Sequence, residues 1–282
     1  LALAGTLKLK NLIVLYDSND ITLDNKLSIS SCEDIKKRFE SINFNIIDAV
    51  DSPDSIDDAL KLARNSDRPS IIICKTTIGL YSKNQGTNLV HGVPLDLEDI
   101  TSVKEKLGII DAPFTVSADC CLDLKTNITN RFNEYKKNKK IDYNNLIVKK
   151  IMEKDNTYQL NDLDIEYENK SLRVLSGEIL NKIADNFPLL IGGSADLSSS
   201  CKTNLEKFKP FLSDDYSGRN IYFGIREHAM GAILNGMALA GLRPFGSTFL
   251  AFSDYMKPAI RMSSMMNLPV LYIFTHDSIT VG

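Results

Sequence analysis

The sequence predicts an α/β protein with two open, mostly parallel sheets, flanking helices, and a helical or irregular linker between the sheets. Three observations support this class. Short apolar runs alternate with amphipathic helical patterns, which is the order of elements that builds parallel sheets. The alternation stops within residues 123–170, where Lys, Asn and Asp dominate, and it resumes at Ser171. Polar clusters follow the apolar runs, where the carboxyl ends of parallel strands bind ligands.

The amino-acid composition limits the kinds of partner and the cellular environment that we expect for this protein. The 282 residues are 43% hydrophobic and 24% charged, with a formal net charge of -3. A nearly balanced charge gives no electrostatic reason to expect nucleic acid or an anionic membrane as a partner. The sequence also lacks an apolar run of about 18 residues that could span a bilayer. Five cysteines without a Cys-x-x-Cys pair argue against a disulfide scaffold or a zinc site and favour a reducing compartment.

The first segment predicts βαβ units. Its strands are unbroken apolar runs, which are typical of parallel strands covered on both faces. They are expected at Asn11–Tyr16, Phe44–Ala49 and Ser70–Lys75. One helix should begin at a capping box on Ser31, and a second should cover Ser55–Ser66. Four apolar residues of the second helix share one face and should point inward: Ile56, Ala59, Leu60 and Ala63.

The stretch Leu122–Lys170 predicts a helical tail and a connecting segment. Helical spacing is visible twice, at Ile128, Phe132 and Tyr135, and over Leu146–Met152. The basic run Lys136–Lys140 is interpreted as a solvated face, because charge runs of this kind are usually solvated.

From Ser171 the alternation of strands and helices returns, which predicts a second parallel sheet. The predicted strands are Leu189–Ile191, Asn220–Phe223 and Pro269–Thr275, and the predicted helices are Arg173–Phe187 and Gly224–Leu242.

Five polar clusters follow apolar runs along the chain. They are Asp17–Ile21, Thr76–Gly79, Gly192–Asp196, Gly224–His228 and Thr275–Ser278. One such cluster would be an ordinary loop, but five in succession indicate a ligand site at the carboxyl ends of the strands.

The first cluster could hold a hard cation. The Asn19 amide oxygen and a backbone carbonyl are ligands that Mg²⁺ accepts when phosphate oxygens complete its coordination. A turn rich in Asn and Asp explains the same residues, and taken alone it is the more common outcome.

Glu227 lies between an apolar strand and an apolar helix, so we expect it to be buried. A buried carboxylate needs a partner or a proton, because desolvation disfavours its charged form. Two structural roles stay open beside a functional one. The first is an ion pair with Arg226, and the second is a carboxylate at a helix start that interacts with the helix dipole.

Phe249, Phe252 and Tyr255 recur at every third position. On one face they could stack against a flat heterocycle, although a plain core stripe is the more common result of this spacing. Arg173, Ser200 and His276 carry no signal by themselves.

Five stretches, in order along the chain, resemble transketolases. They are Asn11–Asp24, Lys75–Leu95, Gly192–Leu197, Gly224–Asn235 and Arg243–Ser278. The resemblance covers both α/β segments and matches Leu122–Lys170 only loosely. It implies an internal fragment, with residues 1–122 as the C-terminal part of a diphosphate-binding domain and 123–170 as a helical tail and linker. Residues 171–282 would then be a pyrimidine-binding domain, truncated at its C-terminal end.

The resemblance implies that the parent protein uses thiamine diphosphate and a divalent cation, Mg²⁺ or Ca²⁺. It would transfer a two-carbon ketol unit from a ketose phosphate to an aldose phosphate through a carbanion of thiamine diphosphate, in the pentose phosphate pathway. A cytoplasmic homodimer with active sites between subunits is implied, and the fragment alone is expected to be inactive. Two alternatives stay open: a ketol transferase similar to dihydroxyacetone synthase, and a non-catalytic paralogue or fragment that only dimerises.

The resemblance also implies roles for individual residues. Asn19 and the carbonyl of Ile21 resemble metal ligands. The residues that resemble cofactor contacts are Leu23, Ile78, His91, Asp196, Glu227, Phe249, Phe252 and Tyr255. Those that resemble sugar-phosphate contacts are Arg173, Ser200, His91 and His276. Catalytic roles are implied for Glu227, which would face N1′ of the aminopyrimidine, and for His91 and His276.

Two residues depart from the family pattern. Asn25 stands where a Gly is usual, which should alter a turn, and Asn88 stands where a His is common in the substrate channel. The family's Gly-Asp-Gly turn, which supplies a metal-binding Asp, is expected before Leu1.

Overall fold

The computed structural model describes residues 1–110, 112–138, 149, 151 and 169–279. The chain forms two compact units, Leu1–Tyr135 and Lys136–Gly282, and each contains its own parallel sheet with helices around it. The predicted fold class is therefore confirmed. The predicted linker, residues 123–170, lies largely outside the described residues, as does the helical spacing over Leu146–Met152, and the three domain boundaries stay predictions.

The first unit is built on a three-stranded parallel sheet in the order β1–β3–β2. Its elements are α1 (Ala2–Thr6), β1 (Ile13–Ser18), α2 (Ile35–Ser41), β2 (Asn45–Val50), α3 (Pro53–Arg64), β3 (Ser70–Lys75), α4 (Leu97–Leu107) and α5 (Ala118–Asn138). Lys75 at the end of β3 lies opposite Ser18 of β1 and Val50 of β2, so the three strands end at one level.

The central strand β3 is buried on both faces, which explains its unbroken apolar sequence. Ile71 and Ile73 pack with Phe39 of α2 on one side. Ile72 packs on the other side with Ala59 and Ala63 of α3. The inward face predicted for this helix is confirmed.

The capping box predicted at Ser31 is wrong. Helix α2 begins at Ile35 and is capped by Asp34, whose carboxylate accepts a hydrogen bond from the Lys37 N–H at 3.1 Å. The Ser31 hydroxyl accepts from the Glu33 N–H at 3.3 Å, outside the helix. The carboxylate of an Asp directly before the first apolar helical residue satisfies a free backbone N–H group at the helix start.

The second unit is built on a four-stranded parallel sheet in the order β5–β4–β6–β7. Its elements are α6 (Leu172–Asn186), β4 (Leu190–Ser194), α7 (Ser198–Cys201), β5 (Asn220–Tyr222), α8 (Glu227–Leu239), β6 (Arg243–Phe249), α9 (Ser253–Met265) and β7 (Leu271–Thr275). Within the described residues, no helix is both long enough and apolar enough to cross a membrane.

The second unit differs from the sequence prediction in the bounds of two elements and in elements that were not predicted, among them helix α9. Strand β4 continues through Ser194, so its two glycines belong to the strand and not to the loop. Helix α8 begins at Glu227 and not at Gly224. Strand β6 was not predicted, because its Pro and Gly resemble strand breakers. Gly246 is needed there, since a Cβ atom would collide with Leu234 of α8.

Arg219 fastens the end of α6 to the sheet. Its guanidinium donates to the carbonyl oxygens of Leu190 at 2.7 Å, Ala184 at 3.0 Å and Phe187 at 2.8 Å. It also lies 4.0 Å from the centre of the Phe208 ring. The bonds to Ala184 and Phe187 satisfy carbonyls at the end of α6 that have no partner within the helix, and the bond to Leu190 connects them to β4. Burial lowers the pKa of this guanidinium, with the charge of Asp185 acting in the opposite direction.

Candidate active site

In the loop after β1, Asn19 and Ile21 are joined by the kind of turn that was considered as the alternative to a metal site, and their role as metal ligands stays a prediction. The Asn19 amide oxygen accepts a hydrogen bond from the Ile21 N–H at 3.0 Å. The loop is tied to the end of β3, because Lys75 pairs with Asp20 at 2.5 Å and Thr76 donates to Asp17. An amide oxygen has two lone pairs, so Asn19 retains one for a cation.

The turn that contains Asn25 closes without strain. Its carbonyl accepts hydrogen bonds from the Thr22 N–H and hydroxyl, each at 2.8 Å, and its amide oxygen accepts from the Lys26 N–H at 2.8 Å. Asn25 is not one of the described residues that have a positive φ. The turn therefore does not need the glycine that is usual there.

The loop after β3 lies against the loop after β1. The Asn88 side-chain amide donates to the carbonyl oxygens of Asp24 at 2.9 Å and Leu23 at 3.4 Å. A Cβ atom on Gly92 would lie 3.8 Å from Leu23 Cδ1, so Leu23 sits beside the chain at His91. Ile78 is half-buried in the same loop, where its carbonyl accepts from the Gly86 N–H at 2.8 Å.

His91 has an unmet hydrogen-bonding group. Its Nδ1 atom is buried and has no partner among the described residues. Buried polar atoms in native structures nearly always have a partner. A polar group of a ligand would therefore fit beside this ring.

Glu227 is buried, as the sequence predicted, at 8% exposure. It is the first residue of α8, and the described residues give its carboxylate no hydrogen bond or ion pair. The ion pair considered with Arg226 is wrong: the described part of the chain contains no such pair, and the Arg226 guanidinium donates to the Phe223 carbonyl at 3.0 Å. The helix start favours a negative charge but leaves the carboxylate oxygens open to a donor.

The three aromatic rings form a continuous stack at the carboxyl end of β6. Phe249 and Phe252 lie 5.7 Å apart and nearly parallel, at 17°, and Phe252 lies 6.2 Å from Tyr255. Tyr255 is 66% exposed and Phe252 is 36% exposed. The core-stripe alternative is wrong for these two rings, because their faces remain available to a ligand.

His276 joins this stack from the end of β7. Its ring centre lies 3.8 Å from that of Phe249. Its Nε2 atom lies 2.9 Å from Nη1 of Arg173, and its Nδ1 atom lies 2.9 Å from the hydroxyl oxygen of Thr275. We call Arg173, Phe249, Thr275 and His276 the His276 cluster.

Ser200 and Asp196 follow β4 in the same unit as the cluster. Ser200 is half-buried in α7, next to Cys201, whose sulfur accepts from the Thr275 hydroxyl at 3.2 Å. Asp196 is exposed at the end of β4, with φ of 64°. Among the described residues, no hydrogen bond connects either side chain to Arg173 or His276.

The sequence reasoning missed the buried hydroxyl groups below the cluster. The Ser194 hydroxyl donates to the Ser247 carbonyl at 2.8 Å, and the hydroxyl oxygens of Ser247 and Thr203 lie 2.5 Å apart. Burial raises the pKa of the adjacent Cys201 thiol, while hydrogen bonds from Thr275 and Ser247 act in the opposite direction. The only sequence signal was that Ser194, Ser247 and Thr275 lie near strand ends.

No group of three or more His, Cys, Asp or Glu residues that could hold a metal occurs in the described part of the chain. A cation bound at Asn19 and Ile21 would therefore need further oxygen ligands, and the phosphates of a bound molecule are suitable ones.

Comparisons with known proteins agree with this arrangement. Residues 1–159 match the family described as "Transketolase, thiamine diphosphate binding domain", and residues 168–282 match "Transketolase, pyrimidine binding domain". The transketolase of Bacillus subtilis is 42% identical over 100% of this chain and 45% of its own length. That of Aquifex aeolicus is 37% identical over 100% of this chain and 42% of its own length.

Solved structures show the same correspondence. The Pichia stipitis transketolase in complex with sedoheptulose-7-phosphate superposes with a TM-score of 0.88 and 33% identity, over 100% of this chain and 45% of that one. The Campylobacter jejuni transketolase gives a TM-score of 0.85 and 34% identity, over 99% of this chain and 44% of that one. The chain thus spans less than half the length of these relatives. With both family matches along its length, this chain belongs to the transketolase family.

Proposed function

We propose that the whole protein is a transketolase, which transfers a two-carbon ketol unit from a ketose phosphate to an aldose phosphate with thiamine diphosphate and Mg²⁺. The observation that carries the proposal is Glu227, a residue only 8% exposed, whose carboxylate has no hydrogen bond or ion pair within the described residues. A folded protein rarely keeps such a group unless it serves a ligand.

The described residues fit thiamine diphosphate and a cation on three counts. The Glu227 carboxylate can accept from or share a proton with a ring nitrogen. The buried His91 Nδ1 atom has no partner in the described part of the chain. Among the residues that the structure describes, only the Ile21 N–H donates to the Asn19 oxygen, at 3.0 Å, so this oxygen can still ligate a metal.

Each group then has a chemical task. Thiamine diphosphate, when bound, supplies the electron sink for breaking and forming the carbon–carbon bond. Glu227 would hold a proton at N1′ of the aminopyrimidine, and the exposed faces of Phe252 and Tyr255 would stack on that ring. Asn19 and the Ile21 carbonyl would hold the cation, with Leu23 and Ile78 as apolar contacts to the cofactor and Asp196 as an acid near its thiazolium. His91 would move protons near the reacting carbon.

Arg173 and His276 would bind the phosphate of the sugar, with Ser200 as a third contact. A guanidinium presents several donors in a fixed fork that suits a phosphate dianion. Nη1 of Arg173 lies 2.9 Å from Nε2 of His276, which supports the binding of one anionic group by both side chains. Binding energy from this remote group would orient the reacting end of the substrate.

We also infer from family membership that the whole protein is a cytoplasmic homodimer of the pentose phosphate pathway. In this proposal, the diphosphate and pyrimidine sides of each site come from different subunits.

The test of the proposed function is Glu227→Gln in the whole protein. The substitution keeps the shape of the side chain but removes its ability to hold a proton at N1′. We expect kcat for ketol transfer to fall about a hundredfold or more, with saturating thiamine diphosphate and Mg²⁺. Cofactor binding, measured by equilibrium dialysis, should be weakened far less than kcat.

The matched control is Glu206→Gln, because Glu206 is exposed in the same unit. This variant should retain wild-type kcat. Near-normal turnover of Glu227→Gln would reject the assigned role of Glu227. Absence of ketol transfer by the unmodified whole protein would reject the proposed function.

A further inference from the structure

His276 is held by two hydrogen bonds on opposite ring nitrogens. Nη1 of Arg173 lies 2.9 Å from Nε2, and the Thr275 hydroxyl oxygen lies 2.9 Å from Nδ1. The same hydroxyl donates to the Cys201 sulfur at 3.2 Å. The four groups form one chain of hydrogen bonds that runs from the surface to a fully buried thiol, since Cys201 is 0% exposed.

The direction of each bond follows from the chemistry of its members. An arginine side chain only donates, so Nε2 of His276 must be the acceptor and carry no proton. A neutral imidazole with a bare Nε2 has its proton on Nδ1. Nδ1–H then donates to the Thr275 oxygen, and the single hydroxyl proton of Thr275 is left for Cys201. The donation to Cys201 agrees with this order.

We infer that Thr275 is a positioning residue. Its hydroxyl holds His276 in the Nδ1–H tautomer and directs Nε2 towards Arg173. The role of His276 in phosphate binding rests on the proposed function, but the tautomer does not.

Three features of its surroundings make Thr275 suited to this task. The residue is 6% exposed, so water does not compete for its hydroxyl. Cys201 occupies the hydroxyl proton, which leaves the oxygen as an acceptor for the ring. Phe249 lies opposite Thr275 in the register of β6 and β7 and stacks on the His276 ring at 3.8 Å, so the ring is fixed in tilt as well as in rotation.

The hydrogen bond between His276 and Thr275 can persist when a phosphate binds. A phosphate oxygen at Nε2 is bound best by a protonated nitrogen, and Nδ1–H continues to donate to Thr275 whether or not Nε2 gains a proton. The hydroxyl therefore positions the ring in both states. A side chain that donated to Nδ1 would fit only the opposite tautomer.

The direct test is a two-bond ¹H–¹⁵N correlation spectrum of the chain, labelled with ¹⁵N-histidine. The sequence contains three histidines, and His276→Gln identifies the signals of His276. We expect a protonated Nδ1 and a bare Nε2 in the unsubstituted chain and in Thr275→Ser. In Thr275→Val, Nδ1–H loses its acceptor and the ring is no longer held towards Arg173, so His276 should shift towards a mixture that contains the Nε2–H tautomer.

Thr248→Val is the matched control. Thr248 is another fully buried threonine of the same sheet, but its hydroxyl has no partner among the described residues. Its removal should leave the His276 spectrum unchanged. An unchanged His276 pattern in Thr275→Val would overturn the inference.

Kinetics of the whole protein give the second readout. Thr275→Val should raise KM for a phosphorylated ketose about three- to tenfold, the range expected for loss of one hydrogen bond. It should leave kcat and the KM for an unphosphorylated ketose unchanged, and Thr275→Ser should recover the low KM. An equal rise in KM for both ketoses would show that the hydroxyl supports the fold and would overturn the positioning role. A shifted tautomer with unchanged KM would support the positioning role and reject phosphate binding by His276.

Discussion

The candidate residues are held in different ways in the two units. In the second unit side chains fix one another, because His276 bonds to Arg173 and Thr275 and stacks on Phe249. In the first unit, side-chain pairs such as Lys75 with Asp20 hold the base of the loop after β1, but the tips of the loops are held through backbone groups. Asn88 donates there to the carbonyls of Asp24 and Leu23, while the Leu23 side chain stays 63% exposed.

This difference indicates how far the side chains and loops of each unit are already ordered before a ligand binds. Side chains locked by other side chains are already oriented. Loops that are held by a few backbone hydrogen bonds and carry exposed apolar tips are at the low end of local stability. We therefore expect substitutions in the second unit to affect fold and geometry, and substitutions in the first unit to affect loop order and ligand affinity.

Gly193→Ala should have the largest effect on the second unit. A Cβ atom there would collide with the carbonyl oxygen of Ile221 in the adjacent strand β5, and neither backbone can move without breaking the sheet. We expect a loss of about 4 kcal/mol or more in the free energy of unfolding, measured by urea denaturation with circular dichroism.

The control for this prediction is Gly236→Ala on α8. A Cβ atom at Gly236 meets nothing within 4 Å. Alanine in a helix should then stabilise by roughly 0.5–1 kcal/mol. Equal urea midpoints for the two variants would show that β4 and β5 are not packed as closely as described.

Arg219→Met should have the next largest effect. The variant keeps an apolar stem but removes the Arg219 donors from the carbonyls of Ala184, Phe187 and Leu190, of which Phe187 still accepts from the Leu190 N–H at 3.2 Å. We expect a loss of about 2–3 kcal/mol in the free energy of unfolding of the second unit. Arg261→Met, at an exposed position of α9, should change it by less than about 0.5 kcal/mol. Similar losses for both variants would contradict the fastening role of Arg219.

The sequence alone predicted those elements whose burial is uniform. Ser70–Lys75 is the clearest case, because a central parallel strand covered on both faces must be apolar throughout. Strand β6 could not be found in the same way. It approaches α8 so closely that Gly246 replaces a larger residue, and a small residue that is required by packing cannot be distinguished in sequence from one required by a turn.

Residues of the candidate site could be predicted from the sequence, but the contacts between them could not. The burial of Glu227 followed from its apolar neighbours. The meeting of Arg173 and His276 across 103 positions depends on strand order, which no local spacing encodes. The hydroxyl of Thr275 acquires its role only through the atoms on either side of it, so neither composition nor periodicity could indicate it.

Asn88→Ala tests the first unit and should act mainly on local order. It removes the donor that connects the loop after β3 to Leu23 and Asp24. Loss of about 1 kcal/mol of local stability should speed amide exchange of Thr22 and Leu27 roughly fivefold, measured by hydrogen–deuterium exchange. Global unfolding should change little.

Two comparisons sharpen this result. Asn186→Ala removes an amide that bonds only within its own helix, to the Lys182 carbonyl at 3.0 Å, and should leave the loop unchanged. Asn88→His should recover part of the protection, because a neutral imidazole has a single N–H for the two carbonyls. Unchanged exchange in Asn88→Ala would mean that the loops after β1 and β3 are ordered independently of this contact.

The smallest effect is expected at Asp96, whose charge holds the end of the loop after β3, next to helix α4. Asp96 caps α4 by accepting from the Asp99 N–H at 2.8 Å, and it pairs with Lys83. The hydrogen bond from Lys83, followed by that from Asp99, lowers the pKa of Asp96 below its ordinary value of 3.8.

A carboxyl group whose pKa is lower in the folded state stabilises the fold above its unfolded value, and this stability is lost as the pH falls through the folded value. The free energy of unfolding of the first unit should therefore decline slightly between pH 4 and lower pH, as Asp96 takes up a proton. Asp96→Asn keeps a helix cap but has no charge for Lys83. It should show less of this decline, whereas Asp214→Asn, at an exposed position of the second unit, should not alter it. Identical pH profiles for the unsubstituted protein and the two variants in thermal denaturation would show that this exposed pair does not contribute to the stability of the first unit.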